Sequence, residues 1–151
     1  MKKLKAFIAL DASNNEKNIK VVNQLHKTVY GFKVGYRSFY NKDANKLISE
    51  IKRRKSRLFL DLKLHDIPNT VSSAIDSLKK INPDFLTLHI SGGEEMLKAA
   101  VKNIKKLNMK TKILGVTLLT SLDGEDSQKI YGERDPNQLI KKLALIASNA
   151  K

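Results

Sequence analysis

The sequence predicts an α/β fold made of repeated strand-then-helix units, and three observations support this. Apolar spacing switches between two residues and three to four residues in a regular order along the chain. The polar residues that interrupt the apolar segments gather where each strand-like run ends. Hydrophobic residues make up 41% of 151, with seven Gly and three Pro, a composition suited to one globular core and not to a disordered tail.

The units follow in order. Ala6 to Leu10 is a short apolar run that reads as a first strand, and Ile19, Val22, Leu25 and Val29 then recur at helical spacing. Tyr30 to Gly35 is strand-like, and Ala44, Leu47, Ile48 and Ile51 form the stripe of a second helix. Leu58 to Leu64 alternates strictly and is followed by Val71, Ala74, Ile75, Leu78 and Ile81. Phe85 to Ile90 and the stripe of Leu97, Ala100, Val101, Ile104 and Leu107 repeat the pattern. Lys112 to Leu119 is a fifth strand leading through a polar loop to Asp135-Pro136, a helix start, with Leu139, Leu143 and Ile146 marking the last helix.

Consecutive units of this kind argue for a parallel sheet covered by helices. The polar strand ends are Asp11, Lys33, the group Asp61, Lys63 and Asp66, then His89 with Ser91, and Thr120. In barrels and in open α/β sheets alike, that end carries the site. A doubly wound open sheet is the alternative to a barrel, but Asp11-Ala12-Ser13-Asn14-Asn15 after the first strand is no glycine-rich dinucleotide loop.

Composition narrows the function classes. Without cysteine there is no disulfide framework, thiolate metal site or thiol nucleophile, which fits a cytoplasmic protein. The start resembles a signal peptide only superficially, because its apolar stretch runs straight into Asp11. No apolar run approaches the roughly 18 residues of a membrane span, so no membrane partner is expected. The formal charge of +14 raises the question of nucleic acid. Its densest groups are Lys52-Arg53-Arg54-Lys55, Lys79-Lys80, Lys105-Lys106 and Lys141-Lys142, each read as lying near the end of an amphipathic segment. There, cations complement the helix dipole and face water. A non-enzymatic basic RNA-binding module would need a contiguous basic face and stacking aromatics, and the sequence has no such motif. No nucleic-acid partner is expected.

The informative segment is Leu58 to Thr70. Strand alternation puts Phe59, Asp61, Lys63 and His65 on one face and Leu58, Leu60, Leu62 and Leu64 on the other. The leucines should pack on the outer helices, leaving a carboxylate and an ammonium at the mouth of the fold. A structural ion pair accounts for Asp61 and Lys63, because an unpaired buried charge is costly. It does not account for Asp66 before Pro68, or for Lys33 on a strand face otherwise occupied by glycines. Two ammoniums and two carboxylates at adjacent strand ends read as a preorganised electrostatic site, with the carboxylates keeping the lysines charged.

Asp61-Leu62-Lys63-Leu64-His65-Asp66-Ile67-Pro68-Asn69-Thr70 resembles the signature of the orotidine 5′-monophosphate decarboxylase family. Flanking matches come in the family's order: Leu10-Asp11, Phe32-Lys33-Val34-Gly35, His89-Ile90-Ser91-Gly92-Gly93 and Leu118-Leu119-Thr120-Ser121. The resemblance covers essentially the whole chain. It implies a (β/α)₈ TIM barrel, of which residues 1–151 form a single, incomplete domain with about the first five βα units. It implies conversion of orotidine 5′-monophosphate to UMP in pyrimidine biosynthesis, with no cofactor and no metal.

Lys33, Asp61, Lys63 and Asp66 would then form the catalytic charge network, with Lys63 as proton donor. Asp11 and Lys33 would hold the ribose hydroxyls, and Thr120 or Ser121 would contact the pyrimidine. Asp66 and Thr70 would reach into a partner subunit's site, so the resemblance also implies a homodimer. His65 reads as a strand-end packing residue, His89 as a strand-end residue near the site and His26 as a surface residue, while Tyr36-Arg37 receives no role. The rival within the superfamily is a Mg²⁺-dependent phosphosugar decarboxylase or synthase sharing Asp-x-Lys-x-x-Asp. A complete barrel runs to roughly 250 residues. The phosphate grip and closing loop are therefore expected outside these residues, and the chain alone is expected to be inactive and prone to self-association.

Overall fold

The computed structural model describes residues 4–150. Strands β1 (Leu4–Ala9), β2 (Val29–Gly35), β3 (Arg57–Leu64), β4 (Phe85–His89) and β5 (Lys112–Val116) form one sheet in the order β1-β2-β3-β4-β5. β1 pairs with β2, and β2 with β3, in parallel. A strictly sequential order is that of a βα barrel, whereas doubly wound sheets reverse direction at a switch point. The fold is thus of the TIM-barrel α/β class, and the described residues supply five of its strands.

Between the strands lie α1 (Asn15–Leu25), the single turn α2 (Tyr36–Phe39), α3 (Ala44–Arg53), α4 (Pro68–Ser77), α5 (Glu94–Lys106), α6 (Gly124–Tyr131) and α7 (Pro136–Asn149). Local chemistry starts several of them. Asn14 caps α1 by accepting from the Lys17 N–H, and Asp135 caps α7 by accepting from the Asn137 N–H ahead of Pro136. Pro68 opens α4. Gly93, with φ of 88°, leads into α5 in a conformation that a side chain would strain.

The chain packs as two compact units. One comprises the chain up to Leu62 with Ile81–Leu86 and Lys110–Lys112. Its buried core includes Val22, Phe32, Val34, Leu47, Ile51, Leu58 and Leu60. On the other face of these strands Phe7, Phe59 and Phe85 meet edge to face, with centroids 5.5 to 6.1 Å apart. The second unit comprises Lys63–Lys80, Thr87–Met109 and the chain from Ile113 on. Val71, Ile75, Leu88, Ile90, Met96, Leu97, Ala100, Leu139 and Leu143 are buried in it.

Several expectations are corrected in detail. Val29, placed in the first helical stripe, begins β2 and is buried there. β5 ends at Val116, leaving Leu118 to Ser121 in turn and irregular chain. Lys141 and Lys142 stand in the middle of α7, not near its end, and Lys142 pairs with Glu133. The polar loop before Asp135 contains α6, which has no apolar stripe and an exposed Ile130. Its ends carry the signal: Asp123 accepts from the N–H groups of Glu125 and Asp126, and Gly132 closes the helix in the left-handed conformation.

Leu60 is fully buried at the centre of β3. Leu60→Ala is expected to destabilise the fold by about 2–5 kcal/mol, read as a lowered urea midpoint at unchanged slope.

Candidate functional site at the strand ends

In the first unit the parallel register sets Ala9 beside Lys33, Lys33 beside Phe59 and Gly35 beside Asp61. The strand ends are staggered, β2 running past the Ala9 level and β3 past the Gly35 level, and Lys33 and Asp61 come together near the end of β2. The Lys33 ammonium donates to Asp61 Oδ2 at 3.1 Å, with the Asp61 side chain only 13% exposed. Gly35 lies beside Asp11: a Cβ there would stand 3.9 Å from Asp11 Oδ1. Three of the residues expected at the site, Asp11, Lys33 and Asp61, thus belong to one cluster of strand ends.

A buried polar network that sequence reasoning missed holds the Asp11 segment. The Ser38 hydroxyl donates to the Leu10 carbonyl at 2.6 Å and accepts from the Asn18 amide at 2.9 Å. Asn18 Oδ1 accepts from the Ala12 N–H, and the Asn15 amide donates to the Ser38 carbonyl. Asn15, Asn18 and Ser38 are each 1% exposed, so their polar groups must be satisfied internally. They bracket Asp11 on both sides. The clue in the sequence was polar residues on the inward side of α1, which apolar periodicity passes over. Arg37, left without a role, makes a long 3.5 Å contact to the Asp11 carbonyl. Tyr36 stacks on Tyr40 at 5.9 Å. Burial first, then Tyr40 and the Asp61 carboxylate, push the Tyr36 hydroxyl above its ordinary pKa.

In the second unit, Lys63, the last residue but one of β3, has a φ of 41°. A left-handed backbone costs a non-glycine residue about 1–2 kcal/mol, and such strain concentrates at functional positions. The Lys63 N–H donates to the hydroxyl of buried Thr87 at 2.8 Å. The expected alternation of β3 holds for Leu58, Leu60 and Leu62, which are buried, but fails at half-buried Leu64. The left-handed turn at Lys63 breaks the two-residue period just there.

Past this turn, His65, Asp66, Ile67, Pro68, Asn69 and Thr70 are all exposed, with Ile67 at 66%. Asp66 Oδ1 accepts from the Ile67 N–H at 2.7 Å at the head of α4. Thr70 lies in the first turn of that helix. His65, expected to pack at the strand end, is exposed but has its ring 5.2 Å from that of His89. Burial first, then His65 and the Lys63 ammonium, hold the His89 imidazole below its ordinary pKa. His26 lies just beyond α1, its ring nitrogen near the Asn23 carbonyl. Thr120 and Ser121 are exposed in the turn after β5.

The basic clusters behave as solvated helix ends where α3 finishes. Arg53 and Arg54 both bind Glu50, and their hydrogen bonds pull its carboxyl down to about 2. Among the described residues, no helix is long and apolar enough to cross a membrane. None of the described His, Asp and Glu side chains gather in threes where they would hold a metal ion.

A sequential βα sheet with an ion pair near its C-terminal strand ends is that of a barrel-type α/β protein, a class whose sites lie at that end of the strands. The family model described as "Orotidine 5'-phosphate decarboxylase / HUMPS family" matches residues 5–150, and the chain belongs to that family. The orotidine 5'-phosphate decarboxylase of Fusobacterium nucleatum subsp. nucleatum is 43% identical over 127 residues, covering 84% of this chain and 53% of that protein. That of Carboxydothermus hydrogenoformans is 42% identical over 142 residues, covering 91% and 59% respectively. The crystal structure of orotidine 5'-phosphate decarboxylase from Lactobacillus acidophilus superposes with a TM-score of 0.84 at 32% identity, over 97% of this chain and 68% of that one. An uncharacterized conserved protein from Geobacillus kaustophilus gives a TM-score of 0.86 at 28% identity, over 95% of this chain and 69% of that one. The chain spans about half the length of the curated relatives it matches.

Because burial holds the His89 pKa below its ordinary 6.5 in the fold while the unfolded imidazole titrates near that value, the unfolded chain binds more protons just below that pH. Stability should therefore fall as pH drops through 6.5 towards the lowered value, and His89→Gln should flatten that part of the profile. Urea midpoints on either side of this window, compared between the two proteins, provide the check.

Proposed function

We propose that this chain contributes the charge network of an orotidine 5′-monophosphate decarboxylase, acting within one barrel domain completed by further residues. The Lys33–Asp61 ion pair carries the reading: a mostly buried carboxylate held by an ammonium from the next strand, two residues before a lysine in a strained backbone conformation. Family membership supports the same conclusion.

In this reading loss of CO₂ leaves the former C–C bonding electrons on C6 of the pyrimidine. No cofactor is needed as an electron sink. The Lys63 ammonium stands beside C6, stabilises the developing negative charge without reorganising, and then gives C6 its proton. Asp61 and Asp66 complete the charge network, setting two carboxylates against the two lysine ammonium groups. Asp11 and Lys33 bind the ribose hydroxyls, and Thr120 or Ser121 contacts the pyrimidine. Binding energy from the remote 5′-phosphate, gripped by residues outside this chain, fixes the ring. The exposure of Asp66 to Thr70 supports a homodimer in which Asp66 and Thr70 serve the partner subunit's site.

The intact protein that contains these residues is expected to consume orotidine 5′-monophosphate, releasing CO₂, with undiminished turnover in EDTA. Lys63→Ala should lower turnover by at least about 10²–10³-fold, the scale on which removing one transition-state stabiliser acts, and leave the folded fraction intact. Loss of absorbance by the substrate measures this. Normal turnover by Lys63→Ala would sink the assignment, and abolition of activity by EDTA would favour the metal-dependent synthase chemistry.

Mixing Asp66→Ala with Lys63→Ala subunits of the intact protein should restore activity. One site of each heterodimer would then combine an unaltered Lys63 with an unaltered Asp66. Verified subunit exchange without recovery would place Asp66 in its own subunit's site.

A further inference from the structure

We propose that Thr87 is a positioning residue, holding Lys63 in its left-handed backbone conformation and so fixing where the Lys63 ammonium stands. The inference rests on the role given to Lys63 above. Among the described residues, four that are not glycine have positive φ: Lys55, Lys63, Asn82 and Asn108. Lys55 and Asn108 directly follow the C-caps of α3 and α5, and Asn82 lies in the turn between α4 and β4. Helices commonly end this way, with a closing hydrogen bond from the following N–H. Ser56 and Met109 make such bonds, to Ile51 and Ile104.

Lys63 has no such motif, because it belongs to a strand. Its N–H is accepted by the side-chain oxygen of Thr87, at 2.8 Å. Thr87 is 5% exposed, and its strand is buried on both faces, with Leu86 and Leu88 fully buried on the other one. A hydroxyl in such surroundings needs a partner, and the Lys63 N–H is one. The stiff χ1 of threonine makes it a fixed acceptor, one that survives small motions of β4. The break in alternation at half-buried Leu64 shows that the turn redirects the chain at this residue. A hydroxyl on β4 thereby sets the direction of the Lys63 side chain near the end of β3.

The test uses the intact protein with Thr87→Val, which keeps the shape and removes the acceptor, and Thr87→Ser, which keeps the hydroxyl. Amide hydrogen exchange at Lys63 is read by NMR beside steady-state decarboxylation of orotidine 5′-monophosphate. In Thr87→Val, Lys63 exchange should speed up about tenfold or more while Leu58 and Leu60 stay protected, as expected for loss of a single local hydrogen bond. The same variant should lose about tenfold in kcat with KM nearly unchanged, because a displaced ammonium weakens the transition state more than substrate binding. Thr87→Ser should restore both readings most of the way.

Unchanged Lys63 exchange in Thr87→Val would overturn the proposal. So would faster exchange with unchanged kcat, or a Thr87→Ser protein no better than Thr87→Val. If Thr87→Val does not fold, Thr87→Ala replaces it. Fast exchange of the Lys63 amide in the unsubstituted protein overturns the proposal without any variant. An unsubstituted protein that lacks decarboxylase activity would sink the functional reading, while the exchange measurements would still decide whether Thr87 holds the turn.

Discussion

Burial of Leu58, Leu60 and Leu62 on one side of β3 constrains everything at the site. Side chains alternate across a strand, so sinking these leucines forces Phe59 and Asp61 to the opposite side. A register slip of one residue would bury the charges and expose the leucines, so the hydrophobic effect fixes the register. The aromatic contacts of Phe59 with Phe7 and Phe85 occupy the level below, and the Lys33–Asp61 pair stands at the strand end above them. An apolar floor beneath a charge pair limits access of water from one side, and the attraction between the charges is less screened there. The arrangement of charges is thus a consequence of packing.

The chain departs from regular structure where the chemistry is proposed. β3 alternates regularly to Leu62 and then adopts a left-handed conformation at Lys63, a residue with no intrinsic liking for it. The bond from its N–H to Thr87 offsets part of that cost. At the end of β1 the corresponding device is the buried Asn15, Asn18 and Ser38 network, which fixes the backbone on either side of Asp11. Both supports are polar groups inside an apolar layer, where hydrogen bonds are stronger and an unmet partner more costly than in water. Residues that touch no substrate in the proposed reaction therefore hold those that do.

Part of the positive charge is paired locally. Arg53 and Arg54 at the end of α3 are bound to Glu50, and Lys98 on α5 is bound to Glu94. Such exposed pairs contribute little to stability, on the order of 0–1 kcal/mol, and leave a net positive field. That field suits an anionic substrate, since it raises encounter rates without specifying a contact.

The sequence by itself determined the order of strands and helices, the leucine face of β3 and the charged motif at its end. All of these are periodic or contiguous patterns that local sterics and burial impose on neighbouring residues. Even α6 was present in the sequence, in Asp123 and Gly132, although its caps and not its apolar spacing encode it. The sequence placed Lys33 and Asp61 at adjacent strand ends, and tertiary structure decided that these two pair directly, because that contact depends on the pairing of β2 with β3. Tertiary structure also decided that Ser38 reaches Leu10 and Asn18, and that Thr87 accepts from Lys63, all bonds between segments distant in the chain. A single threonine in an apolar strand, or a serine in a one-turn helix, has no periodicity to betray it. Its role exists only once another strand or helix has been brought to within hydrogen-bonding distance.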